Sequence, residues 1–362
     1  DVVLENTRKY LSEQATSGAT SAGNVATLNR VILPVIRRVM PTVIANELVG
    51  VQPMTGPVGQ IHTLRVRYAD ATTGGATNIA AGDEALSPFK IASSYSGNDS
   101  DPAKGSATAT LEGAAGKKLN VQILKQVVEA KSRKLSARWT FEAAQDAQAQ
   151  QGIDIEAEIM AALAQEITAE IDQEILTSLR ALAGSAAAAF DQSAVSGTAT
   201  FVGDEHAALA VLINQQANLI AQRTRRGAGN YAVVSSEALT ILQSATTSAF
   251  ARSTEGVFEA PTNTKFVGTL NNSMRVYVDG YASTGTDVLV GYKGSSEADA
   301  PAFYCPYIPL MSSGVVLDPS TFEPVVSFLT RYGYVELSNT ASSLGNAADY
   351  LARISISNVS FK

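Results

Sequence analysis

Two histidines, one cysteine and one tryptophan are the scarce reactive side chains of this sequence. His62 and His206 stand far apart, and neither belongs to a Cys/His pair or a His-x-x-x-His pattern. A zinc-type site takes three or four such ligands, so both read as structural, His62 opening a strand and His206 in the first turn of a helix. No Gly-x-Ser-x-Gly elbow, Walker A loop or EF-hand pattern occurs. The run GAGNYA (227–232) matches Gly-x-Gly-x-x-Ala, but a dinucleotide fingerprint needs a strand before the glycines and a helix after them. Here a helical pattern precedes and a strand follows, which predicts a helix stop and a turn. Cys305 has no partner for an internal disulfide. Trp139 reads as the anchor of a core or of an intersubunit pocket. Carboxylates abound between 154 and 174, yet nothing in their spacing sets two apart for acid–base work. These residues predict no enzyme, no catalytic residues, no cofactor and no metal.

The elements carrying them belong to an ordinary globular composition. The chain has 362 residues, 45% hydrophobic and 17% charged, which suggests about two domains with a sizeable core. A net charge of -7 argues against a general binder of nucleic acid or anionic membrane. No apolar run approaches the roughly 20 residues that cross a bilayer, and DVVLENTRKYL has no signal-peptide shape.

Residues 1–26 are polar and read as a loosely ordered arm. Leu28, Val31, Ile32, Val35, Ile36 and Val39 form a helical stripe interrupted by Pro34. Pro41 suits the first turn of a short helix, PTVIANELVG, ended by Gly50. The stretch GVQPMTGPVGQIHTLRVRY (50–68) then leads into an alternating strand, Leu64, Val66 and Tyr68 against Arg65 and Arg67.

Residues 70–116 lose all apolar period. A structureless loop of that length does not suit a compact domain, which leaves a disordered linker or an extended hairpin. Strand-like residues 121–140 on the returning side favour the hairpin. Half of the roughly 70 intervening residues could reach about 115 Å when fully extended, against a radius of gyration of about 15 Å for a 150-residue domain. The tip leaves its own domain and needs cover from another copy.

A shorter helix, FEAAQDAQAQ (141–150), precedes the strongest period in the chain: Ile155, Ile159, Leu163, Ile167, Ile171, Ile175 and Leu179 recur every four residues, with Asp154 as N-cap. Each step of four advances about 40° beyond a full turn, so the row winds and the helix must meet several packing partners. Lys117–Arg138 carries seven basic residues and one acid, whereas Phe141–Leu179 carries nine acids and no base. Two readings stand: solvated faces of opposite sign, or complementarity between neighbouring copies. The second names Arg65, Arg67, Lys117, Lys118, Lys131, Arg133, Lys134, Glu170 and Glu174 as inter-subunit contacts. Beyond them, a helix is predicted over 203–227 with Gly227 as its stop, then strand 231–236, helix 236–245 and strands 275–279, 287–293, 303–310, 323–337 and 352–360.

LPVIRRVMPTVIANELVGVQPMTGPVGQI (33–61) resembles the N-terminal segment of the major capsid proteins of T-even-type tailed bacteriophages. The likeness continues through LSARWTFEAAQDAQAQQGIDIEAEIMAALAQEITAEIDQEIL (135–176), RRGAGNYAVVSS (225–236), MRVYVDGYA (274–282), VGYKG (290–294), DAPAFYCPYIPL (299–310) and FEPVVSFLTRYGY (322–334), in the family's order. It implies an α+β tailed-phage coat fold: an N-terminal arm (1–40), an extended loop (66–117), a peripheral domain with a long spine helix (41–65, 118–202 and 316–362) and an axial domain (203–315). It also implies self-assembly into hexamers and pentamers of an icosahedral head enclosing double-stranded DNA without specific binding, assembly in the host cytoplasm, and portal, vertex or decoration proteins and a maturation protease as further partners. The start at Asp1 fits trimming by such a protease. The short passage from GTLNNS to RVYVDGYA leaves little room for the inserted surface domain of larger family members. The competing readings are an encapsulin-like or prophage-derived compartment shell of the same fold, and a two-domain α/β enzyme without a recognisable motif.

Overall fold

The computed structural model describes residues 2, 4–6, 44–73, 78–85, 95–97, 104–195, 202–245, 250–252, 265–270, 273–281, 287–337 and 347–361. The predicted arm over 1–26, apart from residues 2 and 4–6, the stripe 28–39 with its Pro34 break, and Pro41 lie outside these residues. From Ile44 the chain forms α1 (Ala45–Leu48), β1 (Gly50–Val51), β2 (Val58–Tyr68), α2 (Thr108–Leu111), β3 (Leu119–Glu129) and β4 (Lys131–Arg138). Two helices follow, α3 (Phe141–Gln151) and α4 (Ile155–Ala183), then β5 (Ala188–Asp191), α5 (Gln192–Val195) and α6 (Val202–Thr224). The remainder alternates: β6 (Tyr231–Val234), α7 (Ser236–Ser244), β7 (Phe250–Arg252), β8 (Lys265–Leu270), β9 (Met274–Val278) and β10 (Val288–Gly291). It closes with β11 (Ala302–Ser312), β12 (Val316–Leu317), β13 (Pro324–Glu336) and β14 (Leu351–Ser357). The chain divides into a smaller unit (1–38, 137–162 and 314–326) and a larger one (39–136, 163–313 and 327–362).

In the larger unit a seven-stranded sheet runs β5-β14-β10-β6-β9-β8-β7, with β5–β14 and β6–β9 parallel. Side chains alternate across a strand, so neighbouring residues feed different cores. Val234, Val276, Val278, Val290 and Ile354 pack with Leu209, Ile213, Ala217 and Ile220 of α6 and with Leu239 and Ile241 of α7. Val233, Tyr277, Leu289 and Leu351 pack on Ile175, Leu176 and Leu179 of α4 and on Ile44, Ala45 and Leu48. A second sheet orders β1-β11-β13-β12, with β4 also paired to β13.

Helix ends follow local chemistry. Thr140 caps α3 by accepting a bond from the Ala143 amide, and Gly152 ends that helix in the left-handed region at φ 68°, where glycine is unstrained. Asp154 accepts from the Glu156 amide at the start of α4. The apolar row of α4 winds as its spacing requires: Leu163 and Ile167 are buried first, then Asp172, Ile175, Leu176 and Leu179. One expectation is corrected. The stop after α6 is Arg225, at φ 53°, while Gly227 serves close approach, since a Cβ there would lie 2.9 Å from the Tyr292 ring.

Candidate assembly interface

The predicted hairpin exists, and much of it is exposed. β2 and β3 pair antiparallel over their full length, from Val58 opposite Glu129 to Tyr68 opposite Leu119. Directly opposed residues share a face, which places Leu64 beside Ile123, Val66 beside Val121 and Gln60 beside Val127. On that face Leu64 is 66% exposed, Val121 66% and Ile123 68%. The opposite face is anchored. Val128 is buried with Phe303 and Cys305, against Met54 and Ile61, and Arg65 is buried in a 3.1 Å ion pair with Glu84. On the face of Leu64, the far end is closed: Tyr68 and Val66 pack with Ile79 and Ala85, and the Tyr68 backbone amide donates to Asp83.

The nine charges named from sequence separate into tied and open ones. Arg133 donates to Glu170 at 2.8 Å and to Glu174 at 2.7 Å, and its Nε donates to the Tyr332 hydroxyl at 2.7 Å. Tyr332 donates in turn to Glu174. Burial pushes Glu174 upward, but its bonds from Tyr332 and Arg133 prevail and hold it below the usual carboxylate range. Burial, together with the Glu174 carboxylate, pushes Tyr332 up to about 12. This knot joins β4, α4 and β13 within one chain. Lys117 donates to the Thr72 hydroxyl at 2.8 Å and lies over the Tyr95 ring, and the backbone of Arg67 forms an isolated antiparallel β-bridge with that of Glu84. Lys118, Lys131 and Lys134 are exposed. The apolar face and Tyr332 were not among the sequence-predicted site residues; the alternation of Leu64, Val66 and Tyr68 was the available signal for the face.

A second arrangement ties Ile44 and Ala45 to α4. Asp172, only 2% exposed, accepts from the amides of Ile44 (3.1 Å) and Ala45 (2.9 Å). Burial pushes its carboxyl up to about 6 in spite of those bonds, and Asp279 adds repulsion. Asp279 is balanced by Arg180 at 2.8 Å and by Gln173.

In the smaller unit the turn between β12 and β13 is closed by bonds from the Asp318 amide to Glu323 and from the Phe322 amide back to Asp318. It holds Phe322 at φ 58°, a conformation that costs a bulky residue about 1–3 kcal/mol. Phe322 is nevertheless 69% exposed, as are Val316 and Leu317 in part, and its ring lies 5.4 Å from that of Phe141. Trp139 is half-buried, its amide donating to the Pro324 carbonyl.

The scarce reactive groups do not converge. His62 is exposed opposite Lys125. His206 is buried, with its Nδ1 2.5 Å from the Ser244 hydroxyl. Cys305 is buried, and burial pushes its thiol up. Among the described residues no three His, Cys, Asp or Glu side chains gather as metal ligands, and no helix is long and apolar enough to cross a membrane.

Comparison with known proteins bears on what such a surface serves. The family described as "Major capsid protein Gp23" matches residues 25–356. The chain is 30% identical to the major capsid protein of Vibrio phage KVP40, over 97% of this chain and 85% of that one. It is 31% identical to the major capsid protein of Enterobacteria phage T6, over 90% and 81%. Among solved structures, a chain of Microbacterium phage Oxtober96 aligns with a TM-score of 0.55 at 13% identity, over 94% of this chain and 100% of that one. A chain from the capsid of Myoviridae phage XM1 aligns at 0.53 and 12% identity, over 94% and 99%. At such identities the structural likeness concerns the fold alone.

Proposed function

We propose, on the premise that this chain belongs to the major capsid protein Gp23 family, that its β2–β3 ribbon is the clamp by which copies hold one another. The chain is a tailed-phage major capsid protein with an α+β coat fold, and copies of it form the head shell. The family match favours this reading over a non-viral compartment or an enzyme. Its work is mechanical, and no catalytic residue is assigned.

The observation that carries the clamp is the open apolar face of the ribbon. Each Val, Leu or Ile removed from water contributes about 1.5–3 kcal/mol, and nothing among the described residues of the same chain covers Leu64, Val121 or Ile123. A second copy supplies that cover. Exposed Lys125, Lys131 and Lys134 beside the ribbon meet acids such as Glu142 and Glu156 of the neighbour, a match that sets register more than affinity. Arg133, Glu170 and Glu174, already satisfied within the chain, brace β4 against α4 so that the ribbon projects from a rigid base. In this layout residues 1–40 form the arm, 66–117 the extended loop, 203–315 the axial domain and the rest the peripheral domain. Hexamers and pentamers assembled in the host cytoplasm then enclose DNA without specific contacts.

The test is Leu64→Thr with Val121→Thr and Ile123→Thr on the open face of the ribbon, followed by electron microscopy and thermal challenge of the particles. Capsomers survive, while closed shells fail or fall apart early. Full-size particles of unchanged stability would exclude the clamp.

A further inference from the structure

Helix α6 has an outer face unlike a solvated one. From His206 to Gln222 seventeen consecutive residues contain no Asp, Glu, Lys or Arg, and charge returns only at the ends, with Asp204 and Glu205 before and Arg223 after. The inner side is accounted for by Leu209, Ile213, Ala217 and Ile220 in the core. The outer side presents Val211, 68% exposed, with exposed Asn214, Gln215, Asn218 and Gln222. At about 100° per residue these five fall within an arc of about 100°, a stripe about 17 Å long. They line a shallow concavity of about 370 Å³ together with Leu219. By contrast, α4 exposes Glu156, Glu166 and Glu170, as a face meeting water does.

The geometry points to this stripe of α6 as a seam between two copies of the chain. Depletion of charge marks the buried centre of interfaces, and charge is what the stripe lacks. Its amides narrow the partner further. Each carboxamide both donates and accepts, so an amide-lined face can be satisfied by another amide-lined face, whereas polyanionic DNA calls for Lys and Arg. Val211 supplies an apolar knob within the same stripe. The occupant is therefore a second subunit presenting uncharged polar groups, and the contact is separate from the ribbon in the fold. This seam rests on the shell reading above, and its test is arranged to fail separately from it.

Shells made of the purified chain alone, carrying Asn218→Cys, are treated with iodoacetamide in parallel with folded subunits released from them. Residue 218 is labelled in released subunits and protected in shells, while buried Cys305 stays silent in both. Equal labelling in intact shells and released subunits overturns the seam and leaves the coat reading standing. Protection that appears only after DNA or another virion protein is added assigns the stripe elsewhere and also overturns it. Failure of the unsubstituted chain to form any shell overturns assembly by the chain alone, on which the clamp and the seam both rest. As a second arm, Gln215→Lys with Asn218→Lys leaves the subunit melting temperature unchanged, because lysine is a good helix former, and loses closed shells. Closure at wild-type yield by that folded variant contradicts the proposal.

Discussion

Val290 and Val121 both sit in β-strands, yet Val290 is fully buried and Val121 is 66% exposed. In β10 the neighbours of Val290 include α6 and β14, and Leu289, one residue earlier, points into the opposite core. In the β2–β3 ribbon one face is held by Val128 and Arg65, and on the other Leu64, Val121 and Ile123 stay exposed. The comparison separates two uses of one pattern. Strands of the large sheet bury their apolar residues within the subunit, while the ribbon leaves Leu64, Val121 and Ile123 exposed, as the proposed clamp requires.

The largest effect expected from breaking this comparison lies in the sheet. Ile213→Ala, at a fully buried position, lowers the stability of dissociated subunits by about 2–5 kcal/mol, read by denaturant titration. An intermediate effect belongs to Asp172. Asp172→Ala strands two buried amides and costs about 1–3 kcal/mol. Asp172→Asn keeps an acceptor and removes the charge, so it isolates the proton. Burial pushes the folded carboxyl up to about 6 from an ordinary value of 3.8. Its protonation therefore adds stability that is full below the lower value and lost as pH rises through the higher one. The wild type loses stability between these limits relative to the Asn variant, and parallel curves for the two would refute the assignment. Glu174, held low, acts in the opposite sense, its contribution vanishing only as pH falls below the ordinary carboxylate range.

The smallest effect on the subunit sharpens the contrast most. Val121→Thr with Ile123→Thr preserves β-branching on the open face, and each change alters subunit stability by no more than about 0.5 kcal/mol. Shell closure, followed by light scattering, is lost. A melting temperature that drops as far as that of Ile213→Ala would mean the face is covered within its own chain.

Much of this was legible in the residues themselves. The four-residue row from Ile155 to Leu179 became α4, because a repeat so close to the helical turn has one regular solution. LRVRY and its returning strand paired as a hairpin, since alternation with flanking Gly and Pro leaves little else. The sequence reading put the stop of α6 at Gly227 and the structure puts it at Arg225, because a left-handed residue is chosen by the bond it closes, here Arg225 to Ala221, as well as by residue type. Arg133 illustrates the other limit. Its charge and neighbourhood were visible, but its partners lie 37, 41 and 199 residues away, distances at which sequence carries no geometry.

The amino-acid order alone determined the family, the spine-like helix, the paired hairpin and the absence of ligand-spaced His or Cys, because each is a local pattern or an ordered set of local patterns. Tertiary structure decided which charges are consumed inside the subunit, which face of the ribbon stays bare and why Asp172 holds its proton toward neutral pH. Those properties depend on who is packed against whom, and burial sets both the worth of an apolar side chain and the cost of a charge.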